Sequence, residues 1–296
     1  MLRRRSDSHR IYRLSYAQKY KSATQRRPYF VHCRGNKKLT KNPPFSILSL
    51  SMQAVNINQL SFKYKDQASL ISSLDLTIEA GERFGIFGPN GAGKTTLMSL
   101  ITGLIPYKQG SIKIFGNEVI TNKRKINKII GLVPQDFSFY EDLSPSENME
   151  FFGAWYGLTK KAAKQRTEEL LQIMGLEQVA GKPVKTFSGG MKRRVNLAIG
   201  VMHQPQILFL DEPTVGVDVQ SRNAILSFLK DINNTGTTLV YTSHQLNEAE
   251  DLCNSVALID QGAIIVRDSL SNLLVTHKQE GLEGLFLELT GRAYRD

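Results

Sequence analysis

RFGIFGPNGAGKTTLMSLITGL, residues 83–104, runs from a short apolar stretch through a glycine-rich turn into a helix-forming segment. Within it Gly88, Gly93, Lys94 and Thr95 satisfy Gly-x4-Gly-Lys-Thr, in the strand-then-helix context the motif requires. Glycines at these points let backbone N–H groups wrap a polyphosphate, and the helix N-terminus adds favourable partial charge. Pro89, Asn90, Gly91 and Ala92 complete the loop, and Thr96 follows it. The pattern assigns Lys94 to the β- and γ-phosphates and Thr95 to Mg²⁺.

The flanking stretches extend this reading into a fold. Upstream, AVNINQLSFKY (54–64) and SLDLTIEAG (73–81) alternate as strands of a half-exposed sheet, and GSIKIFGNEV (110–119) reads as a hairpin returning to it. IGLVPQ (130–135) is a further strand. From about 143 to 185 helix formers take over: PSENMEFFGAWYG (145–157) opens with helix-start chemistry, and TKKAAKQRTEELLQIMGL (159–176) is an amphipathic helix closed by Gly175. ILFLD, TTLVYTS and SVALID then read as buried strands, and GAIIVRDS finishes the sheet. Apolar strands alternating with helices predict a parallel sheet covered on both faces. Asp211 and Glu212, which end ILFLDE (207–212), belong at the carboxyl edge of that sheet, where ligands of open α/β sheets bind. Strand alternation puts their side chains on opposite sides, Asp211 toward Mg²⁺ and Glu212 toward an attacking water.

Bulk properties bound the rest. At 296 residues, with 41% hydrophobic and 22% charged, the chain has the composition of a globular protein of one large domain or two small ones. No apolar run nears the roughly 18 residues of a membrane span. Two cysteines, Cys33 and Cys253, make neither a disulfide framework nor a metal spacing, which favours a reducing interior. Of the net charge of +11, residues 1–50 carry 13 Lys+Arg against Asp7 alone, so the remainder is close to neutral and lacks a nucleic-acid footprint. Residues 1–51 are therefore a separate basic extension, expected to stay disordered unless bound. Three readings of it stand: a start misassigned upstream of Met52, an arm for anionic lipid or RNA, or a targeting peptide.

Over residues 53–296 the sequence resembles the ATP-binding-cassette (ABC) ATPases, on several motifs in order. Gln135 in VPQDFSFYEDLSPSEN matches the family's Q-loop, Ser188-Gly189-Gly190 in FSGGMKRR its signature, Asp218 in EPTVGVD its D-loop and His244 in YTSH its switch histidine. Tyr64 in FKYKD matches the aromatic that stacks on adenine. The resemblance implies an α/β fold: a P-loop NTPase core with a mostly parallel sheet, an N-terminal antiparallel β subdomain and an inserted α-helical subdomain over about 136–187. A family-type tail is expected over 268–296. It also implies ATP and Mg²⁺ as cofactors. Glu212, His244 and Gln135 are then catalytic, and Thr95, Gln135 and Asp211 surround the metal. Two cassettes dock head to tail, each ATP lying between the phosphate loop of one and the Ser188-Gly189-Gly190 helix of the other, with Asp218 at the seam. That explains why one chain carries two glycine-rich cradles. Met191 departs from the glutamine usual at its position. Lys192, Arg193 and Arg194 are assigned to a solvated face or to pairing with acids across the dimer.

Two function classes compete. One cassette, no spanning segment and an insertion containing Phe137, Phe139, Tyr140, Phe151, Phe152 and Trp155 fit the ATPase subunit of a membrane transporter. Most of these rings are assigned to the core, the rest to a cleft for a helix of an integral membrane permease. FSGGMKRR, YTSHQLNEAEDLC and LEGLFLELTGRAYRD resemble the cassettes of bacterial ABC-2 type drug and polysaccharide exporters. This implies efflux, a homodimer, and a cytoplasmic chain peripheral to the inner membrane. The alternative is a soluble ABC ATPase acting on the ribosome or nucleic acid, although the near-neutral globular part predicts no nucleic-acid contact. A nucleotide kinase leaves FSGGM and His244 unexplained.

Overall fold

The alternating stretches form strands β1 (Gln53–Phe62) and β2 (Ile71–Glu79), antiparallel, with Val55 opposite Ile78. The computed structural model describes residues 52–65 and 68–291, and the readings of residues 1–51 fall outside that range. After β3 (Arg83–Phe87), β4 (Gln109–Ile114) joins the other edge of β1 and turns into β5 (Asn117–Glu118). The turn residues Phe115 and Gly116 have φ of 45° and 73°, the left-handed pair that matches a two-residue hairpin to strand twist. The sheet order is β2-β1-β4-β5. Alternation in β1 breaks at Gln59, which is left-handed at a register shift, so Leu60 rather than Gln59 follows Ile57 inward.

The second sheet adds β6 (Ile130–Val133), β7 (Ile207–Asp211), β8 (Thr238–Ser243), β9 (Ser255–Asp260) and β10 (Ala263–Ser269). Its order is β10-β9-β3-β8-β7-β6, parallel except for β10, which runs antiparallel to β9. Successive residues of its central strands feed two cores. Phe84, Ile86, Phe209 and Val240 face the antiparallel sheet, while Phe87, Leu208, Leu210, Leu239 and Tyr241 face the helices. Period-2 side chains buried on both faces explain why these strands read as unbroken apolar runs.

The helices are α1 (Lys94–Ile101), α2 (Lys123–Ile126), α3 (Pro145–Trp155), α4 (Lys160–Ile173), α5 (Gly189–Gly200), α6 (Val219–Asn234), α7 (Leu246–Leu252), α8 (Leu270–His277) and α9 (Leu282–Thr290). The single turn α2 had no counterpart in the sequence reading. Ser144 opens α3 with a full capping box: its hydroxyl accepts from Glu147 N, and the Glu147 carboxylate accepts from Ser144 N at 2.8 Å. Thr159, Ser188, Asp218 and Ser269 cap α4, α5, α6 and α8 in the same sense, each cap stabilising by about 1 kcal/mol. Leu282, Leu285 and Phe286 of α9 join the core that receives α3–α6.

One assignment needs correcting. Of the six insertion aromatics singled out in the sequence, Phe139 alone is buried, and Phe152 is partly so. Phe137, Tyr140, Phe151 and Trp155 are 38–50% exposed. Met149, Leu170 and Leu171 fill the interior between α3 and α4 instead, so the rings pack on one another at the surface, with Tyr140 edge-on to Phe151 at 5.2 Å.

Candidate active site

The loops that follow β3, β6, β7 and β8 leave the carboxyl ends of adjacent strands, so the residues they carry converge. Gly88 follows β3 beside β9, where an added Cβ would collide with the Ile259 carbonyl oxygen. This glycine is demanded by the neighbouring strand. Gly93 caps α1 at φ 102°, a left-handed value, and no side chain caps that helix. Asn90 and Gly91 form the exposed tip of the loop, and Ala92 is buried, its N–H donating to Pro89 O at 3.1 Å.

Lys94 is buried and curls under its own loop, Nζ donating to Gly88 O at 2.7 Å and Pro89 O at 3.1 Å. Burial pushes its pKa down, and the charges of Glu212 and Asp211 oppose that. Two carbonyls thus hold a cation in position beneath an uncapped helix end. Thr96 Oγ1 lies 3.1 Å from the Tyr64 hydroxyl, which brings that aromatic, edge-on to Phe62, to the first turn of α1.

Asp211 Oδ1 accepts from Thr242 Oγ1 at 2.6 Å and Thr95 Oγ1 at 3.4 Å. Burial raises its carboxyl pKa, and these two hydroxyls work against the shift. Glu212 does not continue the strand. At φ 48° it is a left-handed non-glycine residue, held by its N–H to Thr242 O at 3.1 Å, a conformation that costs about 1–2 kcal/mol. The expected alternation therefore stops at Asp211, and both carboxylates bear on the Lys94 ammonium. Gln135 Nε2 donates to Glu212 Oε2 at 3.0 Å, and His244 Nδ1 lies 3.1 Å from Oε1. A carboxylate only accepts, so His244 presents its Nδ1–H. Lys94, Thr95, Gln135, Asp211, Glu212 and His244 thus form one connected group.

The oxygen donors fit Mg²⁺. Thr95 and Asp211 offer a hydroxyl and a carboxylate side by side. No cluster of three or more His, Cys, Asp or Glu exists among the described residues to make an all-protein cage. Mg²⁺ in phosphate-transfer sites is held in this sparse way, with substrate oxygens and water completing the shell.

Ser188, Gly189, Gly190 and Asp218 stand in a second group. Ser188 Oγ accepts from Met191 N at 3.3 Å, and an added Cβ on Gly190 would lie 2.7 Å from Ser221 Oγ and 3.4 Å from Asp218 Oδ2. Asp218 caps α6 by accepting from Ser221 N at 2.9 Å and Ser221 Oγ at 2.8 Å. Gly190 therefore has a reason within its own chain, the close approach of α5 to α6.

The three cations after it are not a solvated face. Lys192 pairs with Glu141 at 2.8 Å in the same chain, and Arg194 donates to Met174 O at 2.7 Å. Arg193 is 6% exposed, donates to Gln135 O at 2.6 Å and Val215 O at 3.3 Å, and lies 4.8 Å over the Phe137 ring. The start of α5 is packed between the segment after Gln135 and the loop after Glu212, so carbonyl oxygens replace water around it. Arg193→Met is expected to lose about 2 kcal/mol net, a fall in Tm of about 4–8 °C by thermal denaturation. An unchanged Tm would return Arg193 to a surface role. Sequence reasoning missed both Arg193 and Thr242. Thr242 could have been found from its place two residues before His244, beside the acids of β7.

The ABC transporter family profile matches residues 71–215. The chain is 43% identical over 222 residues to the linearmycin resistance ATP-binding protein of Bacillus subtilis, covering 75% of this chain and 70% of that protein. To a Nod factor export ATP-binding protein of Ralstonia nicotianae it is 33% identical, over 77% of this chain and 70% of the relative. A dimeric ATP-binding cassette solved in a post-hydrolysis state with ADP and Pi superposes with a TM-score of 0.66 at 25% identity, over 73% of this chain and 98% of that one.

Proposed function

From the premise that this chain belongs to the ABC transporter ATP-binding family, we propose that it is the motor of an export system. As a member it binds and hydrolyses ATP. Residues 52–296 make up the ATPase domain, and it works as a homodimer on a permease at the cytoplasmic face of a bacterial inner membrane. Export follows from the resistance and export roles in the names of its relatives. Among the described residues no helix is long and apolar enough to cross a membrane, and attachment is through the permease.

The observation that carries the transporter reading is the exposed aromatic surface beside Gln135, formed by Phe137, Tyr140, Phe151 and Trp155. Rings held against one another by their own contacts offer a preformed apolar seat for a partner helix. Such a helix would press on the segment that holds Gln135, one hydrogen bond from Glu212. Affinity capture of the tagged chain from detergent-solubilised membranes is expected to bring down one integral membrane protein in a fixed ratio. Recovery of ribosomal or DNA-binding proteins alone would overturn the transporter reading.

In hydrolysis, the triphosphate lies along residues 88–93 and replaces the Gly88 and Pro89 carbonyls as acceptors for Lys94, while adenine rests on Tyr64. Glu212 accepts a proton from water as the water oxygen bonds to the γ-phosphorus. The bond from phosphorus to the bridging oxygen breaks, leaving ADP and phosphate. Gln135 and His244 orient the Glu212 carboxylate and meet the water and γ-phosphate. Thr95, Asp211 and Gln135 would hold Mg²⁺, which would neutralise charge on the phosphate oxygens. Ser188, Gly189 and Gly190 close on the γ-phosphate of the twin's ATP, with Asp218 at the seam, so ATP joins the two cassettes and its loss releases them.

A further inference from the structure

We infer that Glu248 is a positioning residue for hydrolysis, a buried carboxylate that sets the two turns carrying Glu212 and His244. The inference rests on the assignment of those two residues to the reaction. One oxygen of Glu248, Oε2, accepts three hydroxyls: Thr214 Oγ1 at 2.8 Å, Tyr241 Oη at 2.5 Å and Ser243 Oγ at 3.0 Å. All four residues are buried. Among the described residues no cation pairs with Glu248.

The donors come from the places that matter. Thr214 lies two residues past Glu212, in the turn where Val215 N donates back to Glu212 O at 3.3 Å. Ser243 immediately precedes His244, and its Oγ also accepts from Gln245 N at 2.9 Å, so the histidine is bracketed on both sides. Tyr241 stands on β8 between the two turns and also lies 3.0 Å from Thr214 Oγ1. Burial and then the Glu248 charge push its phenol pKa well up, which keeps it a donor. At the other side of these turns the Glu212 and His244 side chains meet at 3.1 Å.

The chemistry explains why a carboxylate is used. An isolated buried charge is costly, and an apolar residue would fill the space without that cost. Three hydroxyls converging on one oxygen are held more strongly by the negative charge of a carboxylate than by a neutral amide oxygen with the same two lone pairs. Removing it leaves buried hydroxyls without an acceptor and frees both turns to drift. A displacement of about 1 Å at a reacting group can lower a rate about a hundredfold.

The test compares Glu248→Ala, Glu248→Gln and the double variant Tyr241→Phe/Ser243→Ala in the purified full chain, with Glu212→Gln in parallel. Turnover, equilibrium binding of a fluorescent ATP analogue and Tm are measured for each. Glu248→Ala is expected to lower kcat about ten- to a hundredfold with analogue affinity within about threefold, and Glu248→Gln to recover much of the loss. Turnover within threefold of the parent while Glu212→Gln is inactive would remove the role of Glu248 alone. Normal turnover by Glu212→Gln would instead remove the hydrolytic assignment beneath it. A parallel fall in kcat and affinity, with Gln no better than Ala, would also overturn the inference. If Glu248→Ala shows no melting transition, the double variant decides. It keeps the carboxylate and most of the packing, its kcat is expected to fall about tenfold at constant affinity, and unchanged turnover would sink the inference.

Discussion

Glu212→Gln is expected to bind ATP and barely hydrolyse it, with turnover reduced by about two to four orders of magnitude, the range for loss of a general base. The substitution keeps the shape of the site. An amide oxygen still accepts from Gln135 Nε2, now 3.0 Å from Glu212, and the amide N–H₂ can donate to His244 Nδ1 in its other tautomer. The left-handed backbone at 212 is held through the main-chain bond to Thr242 and does not depend on the charge. What is lost is the ability to take the proton of water. If ATP joins two cassettes as proposed, the variant is expected to accumulate as a dimer in ATP, because the nucleotide is no longer consumed. Single-turnover hydrolysis and size-exclusion chromatography with and without ATP read both effects. Normal turnover would place the base elsewhere.

Lys94→Ala is expected to lose ATP binding. The ammonium donates to the Gly88 and Pro89 carbonyls, and phosphate oxygens of a bound nucleotide would take their place as acceptors. Two charge-assisted hydrogen bonds at about 1.5–3 kcal/mol each correspond to a loss of roughly a hundred- to ten-thousandfold in affinity. Asp211 and Glu212 add to it, since both bear on Lys94 and without it face the incoming phosphates as uncompensated negative charge. Equilibrium titration with a fluorescent ATP analogue measures the change, and an affinity within threefold of the parent would refute the phosphate-loop assignment. Circular dichroism of the same sample shows whether the loop substitution has disturbed the fold.

The residues that announce themselves in the sequence do so because each obeys a local rule. Gly93 needs a left-handed φ at a helix start, Ser144 and Ser188 need a hydroxyl one residue before a helix, and β7 and β8 need apolar side chains on both faces. The hairpin at Phe115 and Gly116 and the return of β4 to β1 were equally readable, from alternation and turn chemistry. Local rules also misled. Strand alternation does not extend to Glu212, whose backbone turns left-handed, and composition assigned most of the six rings to the core although Phe137, Tyr140, Phe151 and Trp155 are exposed. Charge alone put Arg193 on a solvated face or against acids across a dimer, although it donates to carbonyl oxygens of two other segments of its own chain.

A resemblance to a family singled out His244 and Gln135, while the sequence by itself determined the glycine-rich loop, the acids at the end of β7 and, the single turn α2 apart, the order of strands and helices. Those features depend on neighbours within a turn or a strand, where spacing along the chain and position in space are nearly the same thing. Only the tertiary structure decided that Gln135 and His244 close on opposite oxygens of Glu212, that Thr242 braces both acids, and that Glu248 gathers three hydroxyls behind them. These contacts join residues up to 77 positions apart. A hydrogen bond depends on where two atoms lie and how they are aimed, and the pairing of β6, β7 and β8 sets both.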